Sequence, residues 1–201
     1  MPTRQTIYVD MDDVLCETAR GCLEVIERLF GKRVAYEQLI DFDLGNSCEL
    51  SAEEAAALYH IVHHPEELLK LKPVDGAIAV LNRWITAGFE IAIVTGRPPS
   101  TVEVSLDWLS RESMPYHSFT VVDKYKRFPT ETKAAIPLSE LATREFVFAV
   151  EDSPTMARYL AEEMAVTVRL FDRPWNRMAA EHPKITRHNH WFEIAEAFLN
   201  R

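Results

Sequence analysis

The chain has 201 residues, 47% of them hydrophobic, and a formal net charge of −9. That suits one domain with a real core, or one domain carrying a small insert. The acidic balance and the lack of any Lys/Arg cluster argue against a nucleic-acid polymer as partner, while no apolar run approaches the roughly 18 residues of a membrane span.

The first predicted element is TIYV (6–9), short, β-branched and aromatic, which reads as a central strand ending in the acids of DMDD. ETARGCLEVIERLFGK then places Ala19, Leu23, Ile26 and Phe30 at helical spacing and stops at Gly31. DFDLGNS (41–47) reads as a loop. SAEEAAALYHIVHH opens on a capping box, Ser51 with Glu54, and reads as a second helix ended by Pro65, with a short helical turn in PEELLK. DGAIAVLNRWITAG (75–88) is a further helix closed by Gly88.

The period then changes. FEIAIVT (89–95) is a nearly continuous apolar run, as in a strand covered on both faces. PSTVEVSLDWLSRE is helical, SFTVV (118–122) a strand, LSELA a short helix, and EFVFAV (145–150) a strand. SPTMARYLAEEMA is a helix with Pro154 in its first turn, VTVRL (166–170) the last strand, and WFEIAEAFL (191–199) the closing helix. This alternation predicts an α/β fold with a parallel sheet. Residues 17–72 are too long for an ordinary crossover and read as a small helical cap, with 1–16 and 73–201 as the core domain.

Ligands of an open parallel sheet bind outside the carboxyl ends of its strands. There the chain places Asp10, Asp12 and Asp13, then Thr95-Gly96-Arg97, then Asp123-Lys124, then Glu151-Asp152. Clustered carboxylates repel, and a cation with oxygen ligands compensates them; Mg2+ prefers one or two carboxylates, water and a substrate phosphate. One carboxylate can attack phosphorus and a neighbour can hand over a proton. A hydroxyl and backbone N–H groups near Thr95 and Gly96 can hold phosphate oxygens, and a lysine can neutralise charge. Asp13 reads as an acid at a helix N-terminus. Arg97 either pairs with a substrate group or bridges acids, and Glu151 either orients the site or caps the helix after it. His60 and His64 stand four apart on a helix with nothing nearby to complete a metal site. DRPWNR (172–177) follows the last strand, with Trp175 either closing one side of the pocket or packing.

DMDDV, IVTGR, the lysine after the third strand and VEDSP together resemble, in order, the four motifs of the haloacid dehalogenase (HAD) superfamily of phosphatases. The match runs from residue 7 to about 155. It implies a Rossmann-like HAD core with a small helical cap inserted after the first strand. It further implies Asp10 as nucleophile, Asp12 as general acid/base, Thr95 on the phosphoryl group, and Mg2+ held by Asp10, the Asp12 carbonyl and Asp152. Lys124 is the first choice for the third motif, with Lys126 and Lys133 as alternates. Many relatives carry Gly at the position of Asp13 and Asp at that of Glu151. DMDDVLCET followed by a short helical cap most resembles the cytosolic 5′(3′)-deoxyribonucleotidase branch, although that branch tends to Thr-Ser-Pro where this chain has TGRPPS. Tyr36, Phe42 and Tyr59 are candidates to stack on a base.

The expectation is a Mg2+-dependent phosphatase of a small phosphomonoester, with a nucleotide or a sugar phosphate as substrate. A catalytically silent relative is the rival reading. A receiver-type signalling domain fits worse, because Thr95 precedes Asp123. Cys16, Cys22 and Cys48 form no CxxC, and MPTRQTIYVD lacks the apolar stretch of a secretory signal, so a cytoplasmic location is expected. The oligomeric state is left open, a homodimer being one option.

Overall fold

The structure, a computed structural model, describes residues 5–128 and 134–199. Its chain order is β1 (Thr6–Val9), α1 (Thr18–Phe30), α2 (Leu44–Ser47), α3 (Ala52–Val62), α4 (Pro65–Leu68), α5 (Ala77–Thr86), β2 (Glu90–Thr95) and α6 (Val102–Arg111). There follow β3 (Ser118–Val121), α7 (Leu138–Leu141), β4 (Ala149–Glu151), α8 (Pro154–Glu162), β5 (Val168–Phe171), β6 (Ile185–His188) and α9 (Trp191–Leu199). All six strands are parallel, in the order β3-β2-β1-β4-β5-β6. The switch in strand order lies between β1 and β4, where an open sheet forms its ligand crevice.

Period-2 alternation explains the layers. Ile7, Val9, Ile91 and Ile93 pack on one face under α5, α6 and α9, with Trp84, Trp108 and Trp191 filling the layer. Tyr8, Ala92, Val94 and Ala149 pack on the other against Leu141, Met156 and Leu160. Both faces are thus covered, and β2 needs its unbroken apolar run.

The stretch between β1 and β2 builds a smaller cluster, with Ala19, Val25, Ile26, Leu39, Cys48 and Leu58, which also takes in Trp175 from beyond β5. Its two ends are hydrogen-bonded to each other: Glu17 N–H donates to Lys72 O at 2.9 Å, and Val74 N–H to Leu15 O at 2.8 Å. Gly31 closes α1 at φ 66, the left-handed conformation that glycine adopts without strain. At α3, Ser51 Oγ accepts from Glu54 N and Glu54 Oε2 accepts from Ser51 N.

Three expectations need correction. VTVRL is not the last strand, since β6 lies beyond it; the sheet's edge leaves Thr186 and Arg187 exposed, so no apolar run marks it. Residues 44–47 form a short helix rather than loop, because Asp43 caps it by accepting from Gly45 N at 2.8 Å. The fourth strand is assigned only over Ala149–Glu151, although Val147 N–H already donates to Thr6 O. Among the described residues no helix is long and apolar enough to cross a membrane.

Candidate active site

The carboxyl ends of β1, β2 and β4 and the loop after β3 meet at one cavity of about 260 Å3. Asp10, Asp12, Gly96, Arg97, Lys124 and Asp152 all line it, and Phe42, Tyr59 and His63 close it from the stretch between β1 and β2.

Lys124 is its electrostatic hinge. Its Nζ donates to Asp10 Oδ1 at 2.8 Å and to Glu151 Oε1 at 2.7 Å. Both oxygens of Glu151 are occupied by donors. Oε1 also accepts from the Tyr8 hydroxyl at 3.0 Å, and Oε2 accepts from the amides of Asp152 and Ser153. The approach of Lys124 depends on Gly96, because a Cβ there would stand 3.2 Å from Lys124 Cδ. Lys126 is exposed, and Lys133 lies outside the described residues.

Ligand oxygens of Asp10, Glu151 and Asp152 lie within 4.8 Å of one another. One lysine faces three buried carboxylates there, so negative charge remains over. Burial, with Glu151 beside it, pushes the Asp10 carboxyl up to about 8 against the pull of Lys124. Burial and the charges of Glu151 and Asp10 raise Asp152 well above the usual carboxylate range. Burial works against the charge of Lys124, yet Asp10 and Glu151 outweigh it and keep the ammonium protonated. Hard oxygen donors with surplus negative charge fit Mg2+. With Glu151 held by its own donors, Asp10 and Asp152 are the side chains suited to hold the ion.

Asp12 sits on the other side of the cavity under Arg97. Arg97 Nη2 donates to Asp12 Oδ1 at 2.7 Å, Arg97 Nε reaches both carboxylate oxygens, and the Thr18 hydroxyl donates at 2.5 Å. Burial opposes ionisation of Asp12, but these partners outweigh it and hold the carboxyl below its ordinary value. Arg97 is itself fixed by Ser105 Oγ at 3.1 Å. Of the two roles left open for Arg97, the resting structure shows the bridge to an acid.

Thr95 is fully buried and, unlike Gly96, does not line the cavity; its Oγ1 accepts from Arg97 N at 3.1 Å. Asp13 caps α1, both its oxygens accepting from Ala19 N. Its φ of 55 lies in the region glycine favours and aspartate tolerates. Tyr36 does not reach the cavity and instead meets Trp175 edge-on at 5.8 Å. His63 lines the cavity although only its neighbours His60 and His64 stood out by spacing. Its Nδ1–H donates to Tyr59 O at 2.6 Å, burial holds its pKa down, and no sequence signal separates it from a surface histidine.

A family model described as "5' nucleotidase, deoxy (Pyrimidine), cytosolic type C protein" matches residues 4–135. The chain belongs to this nucleotidase family. A curated relative from Halalkalibacterium halodurans, named "Putative nucleotidase BH1399", is 26% identical to this nucleotidase-family chain over 193 residues, 96% of this chain and 91% of the relative. A structure from Clostridium acetobutylicum described as a "predicted phosphatase" superposes with a TM-score of 0.67 at 13% identity, covering 98% of this chain and 99% of its own. A haloacid dehalogenase-like hydrolase from Streptococcus pneumoniae gives 0.63 at 13% identity, covering 98% and 100%. The "putative HAD-hydrolase YfnB" of Bacillus subtilis, solved with magnesium bound, gives 0.62 at 12% identity, covering 98% and 99%. The protein is thus a phosphatase-type enzyme of that nucleotidase family, and it has the fold of haloacid dehalogenase-like hydrolases.

Proposed function

We propose that this nucleotidase-family enzyme is a Mg2+-dependent phosphomonoester hydrolase that forms a phosphoaspartate on Asp10, with nucleoside monophosphates as its substrates. The observation that carries the reading is the single ammonium of Lys124, held between Asp10 and Glu151 at the wall of the cavity. It leaves a nucleophilic carboxylate oriented and a carboxylate cluster short of positive charge.

Bound at Asp10, the Asp12 carbonyl and Asp152, Mg2+ would neutralise carboxylate and phosphate oxygens. The remaining work belongs to the chain's own groups. An oxygen of Asp10 attacks phosphorus; the ester P–O bond breaks, and its electron pair leaves with the alcohol oxygen. The protonated form of Asp12 gives that oxygen its proton. The ionised form, favoured by Arg97, then takes a proton from the water that breaks the P–O bond to Asp10. Lys124 offsets the charge of Asp10 as the phosphate dianion approaches. Gly96, which lines the cavity, offers its N–H to the phosphoryl oxygens, and Thr95, buried behind it, holds the turn through Oγ1, which accepts from Arg97 N; its free hydroxyl hydrogen reaches a phosphoryl oxygen only if the turn shifts on binding. Residues 17–72 act as a cap whose Phe42 and Tyr59 meet the rest of the substrate.

The proposed location is cytoplasmic: the three cysteines are free and buried, and the family's description names a cytosolic type. The test is hydrolysis of p-nitrophenyl phosphate with Mg2+ and with EDTA, in wild type and Asp10→Asn. Turnover only with Mg2+ and only in wild type is expected; no turnover in any condition removes the reading. A panel of nucleoside monophosphates and sugar phosphates then tests the substrate, and a clear preference for sugar phosphates overturns the nucleotide part alone.

A further inference from the structure

Two residues of the segment 172–177 hold Asp152, one by its side chain and one by its backbone. Trp175 Nε1–H donates to Asp152 Oδ2 at 3.0 Å. Asn176 Nδ2 donates to Asp152 O at 2.8 Å and to Phe171 O at 2.7 Å. Asn176 is in turn held by Arg187, which donates to its side-chain oxygen and to its carbonyl. We infer that Trp175 is a positioning residue for the divalent cation: its indole N–H fixes one oxygen of Asp152 and leaves the other for the metal. This inference rests on the Mg2+ dependence proposed for the enzyme.

The chemistry of the donor supports it. Lys124 fixes Asp10 with a full positive charge, which competes with a cation for that carboxylate. An indole N–H is a neutral donor. It sets the orientation of Asp152 without cancelling the charge that attracts the ion. Both partners are deeply buried, Trp175 at 8% exposure and Asp152 at 4%, so neither swings freely. The Trp175 ring also packs in the cluster formed by Ala19, Val25 and Ile26, and Tyr36 meets it edge-on at 5.8 Å. The carboxylate is therefore braced by the stretch between β1 and β2 as well as by the core. Packing alone would be served by any aromatic ring, and the N–H is the part a phenyl ring lacks.

The experiment is titration of the full chain with Mg2+ alone, followed by calorimetry and by 15N–1H spectra of the four indoles. In wild type the Trp175 indole resonance should move most, because Trp108 and Trp191 donate to the backbone carbonyls of Leu71 and Val14. Trp175→Phe should still fold, with a metal-free melting temperature lowered by the lost volume and hydrogen bond, and bind Mg2+ about tenfold more weakly, the lower end of the effect of losing a group that orients a ligand. A folded Trp175→Phe with wild-type Mg2+ affinity overturns the inference. If that variant does not fold, the wild-type spectra decide, and a Trp175 indole that ignores Mg2+ overturns it. Wild type that takes up no Mg2+ removes both the inference and the Mg2+ dependence beneath it.

Discussion

Arg97 lays its guanidinium across Asp12, with Nη2 2.7 Å from Oδ1 and Nε within 3.1 Å of both carboxylate oxygens, although 85 residues separate the two in sequence. The side chain of Arg97 is almost wholly buried, whereas that of Asp12 is 30% exposed at the cavity. Arg97 therefore acts as a fixed plate that orients Asp12, the carboxylate proposed above as the general acid/base. A forked guanidinium does this and a point-charge ammonium does not.

Arg97→Lys should keep the charge and lose the alignment. General acid–base groups contribute about 10²- to 10⁴-fold, so misalignment should cost kcat at least about tenfold. Steady-state kinetics on p-nitrophenyl phosphate checks this. Unchanged kcat in Arg97→Lys would mean that Asp12 needs only a nearby positive charge.

Gly96→Ala is expected to act through Lys124. The added Cβ would meet Lys124 Cδ at 3.2 Å and Tyr125 Cε2 at 3.4 Å, so the lysine stem must give way. A displacement of reacting groups by a fraction of an ångström should cost kcat about tenfold or more. The melting temperature should fall only slightly, because no positive φ is involved. Wild-type kcat in a folded Gly96→Ala would show that the lysine has room to adjust.

The strand ends that carry this chemistry were legible because each follows an apolar run that burial on both faces demands: Ile91 to Val94 is the plainest case. The resemblance then ordered Asp10, Thr95, Lys124 and Asp152 into one site. What escaped was set by pairs far apart in the chain. That Glu151 anchors Lys124 depends on Tyr8 from the neighbouring strand. That Trp175 reaches Asp152 depends on how the turn after β5 folds back. β6 escaped because an edge strand needs no apolar face, and His63 because its value is only its place on the cavity wall.

The crowded carboxylates make stability depend on pH with a definite sign. Asp10 is raised to about 8 and Asp13 to about 7, both chiefly by burial, and Asp152 is raised as well. The folded state then binds more protons than the unfolded chain from about pH 4 to about pH 8, and metal-free stability falls as pH rises through that window. Mg2+ at the proposed site would reverse the penalty by favouring the ionised forms. Melting temperatures in EDTA should decline from about pH 6 to about pH 8, while the gain on adding Mg2+ grows over the same range. Asp10→Asn removes one anion and should flatten both trends. A metal-free melting temperature that rises with pH contradicts the charge surplus.

Phe42 and Tyr59 are each 39% exposed, and both line the cavity, which is an unusual place to leave large rings in contact with water. Tyr59 is braced by His63 at 4.5 Å between ring centroids, and Phe42 by Tyr125 at 5.6 Å, so neither ring folds away into the core. Such walls favour a flat apolar group on the substrate. Stacking of a base on an aromatic ring is worth about 1–3 kcal/mol, so Tyr59→Ala should raise KM for nucleoside monophosphates about fivefold or more. Hydrolysis of glycerol phosphate, which has no ring to stack, should keep its KM, and kcat should change little for either substrate because Asp10, Asp12 and Lys124 are untouched. An equal rise in KM for both substrates would assign Tyr59 to packing of the helices between β1 and β2. A rise confined to the nucleotides would locate the base on this wall.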